Sequence, residues 1–309
     1  MSNYLITQAT GKQAQAVIGQ LLAAGHSVHA VVRDTRKTLP EVLTRPGVTL
    51  FQGETVDSDV ISKAIQGCKG VFLNTFPIPG IEPQQAKTVV DAAKKAGVET
   101  VVLTTTMATG SKEIWDKQQT KDVGLYNYFV NKAAAEEIVR SAGLNAYTIL
   151  RPAFLHFDYF LPHVLKNYSE LAKAGELVHS FKEGGKMLQT DVEDVGKYAA
   201  AALQDPAKFG GHEIELGNEA LTIQGIAAIL SKVSGKNVTP RQRSSKEVEE
   251  AKGGANFQAW QLWTHSTDLT PFAAAAKDVQ EKFGIPFTSL ERALQRERDQ
   301  LLECLSASA

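Results

Sequence analysis

A doubly wound parallel α/β sheet is the fold this sequence predicts, and three observations predict it. Apolar strand patterns and helix patterns alternate from residue 4 to residue 150. A short glycine-containing turn joins the first strand to the first helix in YLITQATGKQAQAVIGQLLAAGHSVHAVVRD, residues 4–34. The run at 70–74 is apolar without polar alternation, as in a strand buried on both faces. Repeated strand–helix alternation calls for right-handed crossovers, which make successive strands parallel and put helices on both faces.

The elements follow in order. Residues 4–7 form an apolar strand, 8–12 a turn, 13–24 a helix and 28–32 a second strand that runs into Arg33-Asp34. A short strand at 48–52 precedes a helix at 57–65 with Asp57 as its N-cap. The strand at 70–74, a helix at 84–95 stopped by Gly97, and a strand at 101–105 come next. A long helix at 126–141 ends before Gly143, and a strand at 146–150 runs into Arg151-Pro152. Regularity then falls away in an aromatic-rich stretch to residue 186, and returns as a helix at 191–203, a strand at 213–216 and a helix at 221–233. Residues 240–256 read as a polar surface loop, and 289–305 as a charged helix. The expected architecture is a Rossmann-like dinucleotide-binding domain over 1–152, with 188–218 returning to it. A smaller, mostly helical C-terminal substrate or cap domain takes 153–187 and 219–309.

Bulk properties narrow the function. The 309 residues are 43% hydrophobic and 22% charged with net charge −1, an ordinary globular composition. Nothing marks a nucleic-acid or membrane surface. Cys68 and Cys304 form no C-x-x-C pattern, so neither a disulfide framework nor a metal site is expected. The chain opens on a strand without a signal-peptide pattern, and no apolar run approaches the ~20 residues that span a bilayer. A cytoplasmic protein is expected.

A dinucleotide loop spaces three glycines, for the tight turn, for close approach to phosphate and for helix packing. The corresponding positions are Gln8, Gly11 and Ala14. Alanine is accepted at the third, and Gly11 stands at a helix N-terminus where phosphate meets unpaired N–H groups. Gln8 restricts the turn. Its side chain either fills space that a pyrophosphate needs or donates its amide to one. The competing reading is a turn that binds nothing. Thr7, Ala9, Thr10, Gly11, Lys12 and Gln13 are the candidate contacts in this loop. Beyond the second strand, Arg33, Arg36 and Lys37 stand where an adenosine ribose would lie. A guanidinium matches a 2′-phosphate through paired hydrogen bonds, which favours NADP over NAD. Asp34 argues the other way, since an acid there reads a free 2′-hydroxyl. Solvated surface charge is the plain alternative. The loop NTFPIPG at 74–80 ends at the same rim, stiffened by its prolines, with Asn74, Thr75 and Phe76 as candidate cofactor contacts.

Tyr128 and Lys132 stand four apart in YNYFVNKAAAEEIVR, on one helix face. An ammonium beside a phenol favours phenolate, and such a tyrosine can act as general acid toward a carbonyl oxygen during hydride transfer. Thr104, Thr105 and Thr106 could present a hydroxyl to the same oxygen. The alternative puts Tyr128 in the core, with Lys132 solvated or against ribose. His156, whose kind titrates near neutrality, is a candidate proton donor or a hydrogen-bonded wall residue. Asp191 and Asp194 read as helix-starting residues, and Trp260 and Trp263 as packing or pocket lining.

With these residues in view, the chain resembles the NmrA-like family of atypical short-chain dehydrogenases. The matching stretches are ITQATGKQAQAVIGQLLAAGHSVHAVVRD, NKAAAEEIVRSAGLNAYTILRPAFL and QTDVEDVGKYAAAAL, in order over about the first two-thirds of the chain. The resemblance implies an NADP-binding Rossmann domain. It places Gly11, Lys12, Gln13, Arg33 and Lys132 against the cofactor, and Phe154 and His156, just past Pro152, toward a pocket. Family members carry glycine where Gln8 and Ala14 stand here. The family contains both reductases and NADP-sensing regulators, so membership leaves catalysis open.

Three functions follow as expectations. The first is an NADPH-dependent reductase of a small apolar or aromatic carbonyl or conjugated compound, with Tyr128 or His156 giving the proton. The second is an NADP(H)-binding redox sensor that changes affinity for a regulatory protein partner. The third, motivated by Gln8, is a cofactor-independent isomerase or lyase on the same fold.

Overall fold

The computed structural model describes residues 1–78, 80–252 and 256–306. Strand β1 (Asn3–Ile6) buries Tyr4, Leu5 and Ile6 and lies between two parallel partners, β2 (Ser27–Val32) and β4 (Cys68–Asn74). Helix α1 (Lys12–Ala23) connects β1 to β2. The chain then grows outward to β3 (Val48–Gln52), which pairs with β2. Helix α2 (Ser58–Ala64) carries it back to β4, and the Asp57 side chain caps that helix by accepting from the N–H groups of Asp59 and Val60. On the other side follow α3 (Ile81–Ala96), β5 (Thr100–Thr104), α4 (Tyr126–Arg140) and β6 (Ala146–Arg151). Helix α5 (Val192–Gln204) and the edge strand β7 (His212–Glu215) complete a seven-stranded sheet of order β7-β6-β5-β4-β1-β2-β3. Every pairing is parallel.

The order of growth reverses between β1 and β4, so their carboxyl ends flank the crevice where doubly wound sheets bind ligands. Two glycines allow the close packing behind it. A Cβ on Gly70 would stand 2.9 Å from Leu203, and one on Gly196 of α5 would stand 2.9 Å from Ala16 of α1. Strands β4 and β5 are buried almost throughout, which matches their unbroken apolar runs. Cys68 and Cys304 are both buried free thiols, with burial pushing them up to about 12 and about 11.

The chain divides into two compact units. The sheet unit comprises Met1–Gly110, Asn127–Pro152 and Val192–Leu216. The second comprises Ser111–Tyr126, Ala153–Asp191 and Gly217–Ala309. Its own core gathers Tyr159, Tyr168, Leu171, Ile226, Leu230 and Leu301. Strand Lys186–Thr190 pairs in parallel with Phe154–Leu155 and antiparallel with Ala220–Thr222. Trp263 is buried in this unit and its indole N–H donates to Thr120 at 3.2 Å.

The surface loop expected at 240–256 is in part regular. Thr239–Gln242 forms a parallel strand beside Glu176–His179. Ser245–Glu250 is a helix opened by a capping box between Ser244 and Glu247. The S-x-x-E spacing was present in the sequence, but the polar composition masked it. Residues 253–255 of that stretch, and Pro79 of the 74–80 loop, lie outside the described residues. The single helix expected at 289–305 is two, Leu290–Arg296 and Arg298–Ser306, separated at Glu297. Among the described residues no helix is long and apolar enough to cross a membrane.

Candidate functional site

The loop after β1 is built by side chain and backbone together. Thr7 is buried, and its hydroxyl donates to the Asn74 carbonyl and accepts from the Asn74 N–H, both at 2.9 Å. This ties the carboxyl ends of β1 and β4. The Ala9 N–H donates to the Val31 carbonyl at 3.2 Å, and the Gly11 N–H to the Gln8 carbonyl at 2.8 Å. Gln8 takes φ 50°, the left-handed conformation that glycine adopts without cost. A Cβ at Gly11 would stand 3.2 Å from the Gln8 oxygen, so the turn uses that glycine for close approach. Gly11 is the N-cap of α1, and no side chain caps the helix there. The first N–H groups of such a helix, at Lys12 and Gln13, lack intrahelical partners and are available as donors. The Gln8 amide donates to the buried Thr55 hydroxyl at 3.3 Å.

At the end of β2 the charges separate into two sets. Arg36 binds Asp34, with Nε at 2.9 Å from Oδ1 and Nη2 at 3.2 Å from Oδ2, and holds that carboxyl below its ordinary range. The acid that would read a free 2′-hydroxyl is thus engaged. Arg33 and Lys37 enter no ion pair among the described residues. The Arg33 guanidinium lies 5.5 Å from the centre of the Phe76 ring, which is 41% exposed.

Helix α3 begins at Ile81, before the expected residue 84, and this places Glu82 and Gln85 in its first turns. Both are buried. Gln85 accepts from the Phe76 N–H at 2.8 Å. Glu82 accepts from the Thr75 hydroxyl at 2.7 Å and pairs with Lys132 at 2.6 Å. Lys132 is 5% exposed, with its ammonium 3.5 Å from the Thr75 oxygen and 5.6 Å from the centre of the Tyr128 ring. Tyr128 and Lys132 do share a face of α4, but the ammonium addresses the ring and the Glu82 carboxylate. Sequence reading missed Glu82 and Gln85. The available signal was their i, i+3 spacing in a segment that follows a glycine and opens a helix.

Two hydroxyls of the Thr104-Thr105-Thr106 run are engaged in the fold. Thr104 donates to Gln13 Oε1 at 2.9 Å, and Thr105 to Glu136 Oε1 at 2.7 Å. Pro152 gives its carbonyl to the Met107 N–H at 2.9 Å. Behind this loop Arg151 binds Glu136, Glu213 and Glu215, and its guanidinium covers Gly110, where a Cβ would stand 2.5 Å away. Burial pushes Glu215 up to about 7, against the opposing pull of Arg151 and the Ala108 N–H.

In the second unit Phe154 packs on Phe257 and Tyr159, with ring centres 4.4 and 5.1 Å apart. His156 is the other candidate proton donor. It is 2% exposed and neither ring nitrogen has a hydrogen-bond partner. Burial pushes it down to about 4; Asp191 opposes that shift and Arg296 adds to it. Burial thus favours the neutral ring. Asp191 stands directly before α5 and takes two bonds from Arg296, at 2.7 and 3.0 Å, while Asp194 pairs with Lys197.

A model of the NmrA-like family matches residues 2–267. This chain belongs to the NmrA-like family. It is similar to quinone oxidoreductase 2 of Escherichia coli, 28% identical over 253 residues that cover 80% of this chain and 79% of the relative. It is also similar to the nitrogen metabolite repression protein nmrA of Emericella nidulans, 27% identical over 255 residues, 79% of this chain and 69% of the relative. Among solved structures, that of the Escherichia coli quinone oxidoreductase complexed with NADPH superimposes with TM-score 0.73 at 24% identity, covering 96% of this chain and 99% of the other. That likeness confirms the fold. The NmrA-like match covers the loop, the Arg33 end and the Lys132 helix together.

Proposed function

We propose that this NmrA-like protein is an NADP-dependent reductase of a small apolar or aromatic carbonyl or conjugated compound. The observation that carries the reading is the sorting of charge after β2. Arg36 neutralises Asp34, while Arg33, over the Phe76 ring, has no carboxylate partner among the described residues. An exposed guanidinium at the end of β2, unpaired among the described residues, and an uncapped helix N-terminus after β1 together suit a ligand with phosphates at two places. The residues present fit the cofactor. Lys12 and Gln13 N–H groups would take the pyrophosphate, Arg33 and Lys37 the 2′-phosphate, and Thr75, Phe76 and Lys132 the far half. Thr7, Ala9, Thr10, Asn74 and Thr104 shape the seat, Thr7 and Thr104 through bonds to its neighbours. NADPH, when bound, supplies the hydride. The names of the relatives support a reductase, and a quinone is the first substrate to try.

Lys132 would orient ribose through its ammonium, and Tyr128 is the remaining candidate for giving a proton to substrate oxygen. Titration with NADPH and NADH, followed by NADPH fluorescence loss on adding a small quinone or enone, tests the reading. Micromolar NADPH binding and turnover are expected. Binding of neither nucleotide overturns it.

A second reading, a sensor that binds NADP without turnover, is favoured by the neutral buried His156 and by the Glu82 counter-charge on Lys132. The repression protein among the relatives points the same way. NADPH binding without consumption of any of a panel of quinones, enones and azo compounds decides for it.

A further inference from the structure

We propose that Glu82 is a positioning residue for cofactor binding, acting through Lys132. The inference rests on the NADP reading above and names the residue that makes Lys132 usable. An ammonium that is 5% exposed has lost most of its water, and a buried cation needs a partner to stay charged and fixed. Among the described residues the pairing carboxylate is Glu82, at 2.6 Å, itself 1% exposed. Glu82 Oε1 also accepts the Thr75 hydroxyl, so one carboxylate oxygen collects a donor from the end of β4 and another from α4. The carboxylate is carried in the first turn of α3, after Gly80, whose φ of 80° turns the chain into the helix.

The arrangement does three things. It gives the Lys132 ammonium a fixed, charge-assisted partner. It leaves the ammonium's other hydrogens free of a competing carboxylate. It also fixes the ammonium relative to the β4–α3 loop, because Gln85 of the same helix holds the Phe76 N–H at 2.8 Å. The cation that would meet ribose and the ring that carries Arg33 are thus referred to one helix start. Without Glu82, a desolvated ammonium would turn toward water, and the far half of the seat would lose its donor.

The test is a double-mutant cycle on NADPH affinity in the full chain, with wild type, Glu82→Gln, Lys132→Met and the pair. Glutamine keeps the size and an acceptor for Thr75 while removing the charge. Glu82→Gln is expected to weaken NADPH roughly tenfold when Lys132 is present and to change nothing when residue 132 is methionine. Glu82→Asp, which keeps the charge on a shorter arm, is expected to recover part of the loss, and it replaces Glu82→Gln in the cycle if the glutamine variant does not fold. Equal losses from Glu82→Gln in both backgrounds overturn the inference, since a carboxylate that merely props the loop would act regardless of Lys132. So does unchanged affinity in the Lys132 background. Wild-type protein that binds no NADPH overturns the NADP reading and this inference with it, and is distinguished by the wild-type titration alone.

Discussion

Arg33 and Lys132 are both cations at the carboxyl rim of one sheet, and the molecule treats them oppositely. Arg33 is exposed, rests its guanidinium on the Phe76 ring and enters no ion pair among the described residues. Lys132 is buried and pinned to a buried carboxylate. An exposed cation keeps its hydration and needs no partner, so it stays available to an arriving anion. A buried one is destabilising unless compensated, so it is held still and can only serve what fits against it. On the proposed reading, the first end of the seat selects by charge and the second by position.

Removing one charge from the buried pair is the severest way to break this contrast. Glu82→Gln should cost about 3–5 kcal/mol of stability in urea denaturation, as expected for a stranded buried charge. Replacing both residues, Glu82→Leu with Lys132→Met, should recover most of it. If Glu82→Gln costs no more than a surface substitution, the pair is not buried in solution.

Glu215 extends the comparison to an anion whose partner is shared. Arg151 serves Glu136, Glu213 and Glu215 together, and burial pushes Glu215 up to about 7. The folded state therefore holds a proton that the unfolded chain has released above its ordinary carboxyl range. Stability falls as pH rises from about 4.5 to about 7, by at most about 3 kcal/mol from this group. Denaturant midpoints across that window should flatten in Glu215→Gln relative to wild type.

Arg33→Ala probes the exposed end. NADPH affinity should drop by about 1.5–3 kcal/mol, the worth of a charge-assisted bond to phosphate, with NADH affinity and stability nearly unchanged. Equal weakening of both nucleotides would remove the 2′-phosphate argument. The smallest effect is at the turn between the two ends. Gln8→Gly relieves a left-handed side-chain-bearing residue at φ 50° and also deletes its bond to Thr55. A gain of about 1 kcal/mol in stability and tighter NADPH binding are expected, read from thermal midpoints and calorimetry.

The parts legible in the sequence were those set by local periodicity. The buried strands around residues 70–74 and 101–105 showed themselves by unbroken apolar runs, and the Asp57 cap by its place before a helix. Gly11 at the α1 start and the Tyr128–Lys132 face were legible for the same reason, since both depend on spacing within one element. The polar stretch near 245 hid a helix because its residues face water and leave no apolar stripe to detect.

What the tertiary structure decided was which polar groups are already engaged. Thr104 meets Gln13, Thr105 meets Glu136, and Glu82 meets Lys132 across sequence gaps of 91, 31 and 50 residues. Burial strips the His156 ring of water and, among the described residues, leaves both nitrogens without partners. A residue type announces what it can donate or accept. Whether that capacity remains for a ligand depends on desolvation and on neighbours brought from elsewhere in the chain, and neither is a property of spacing.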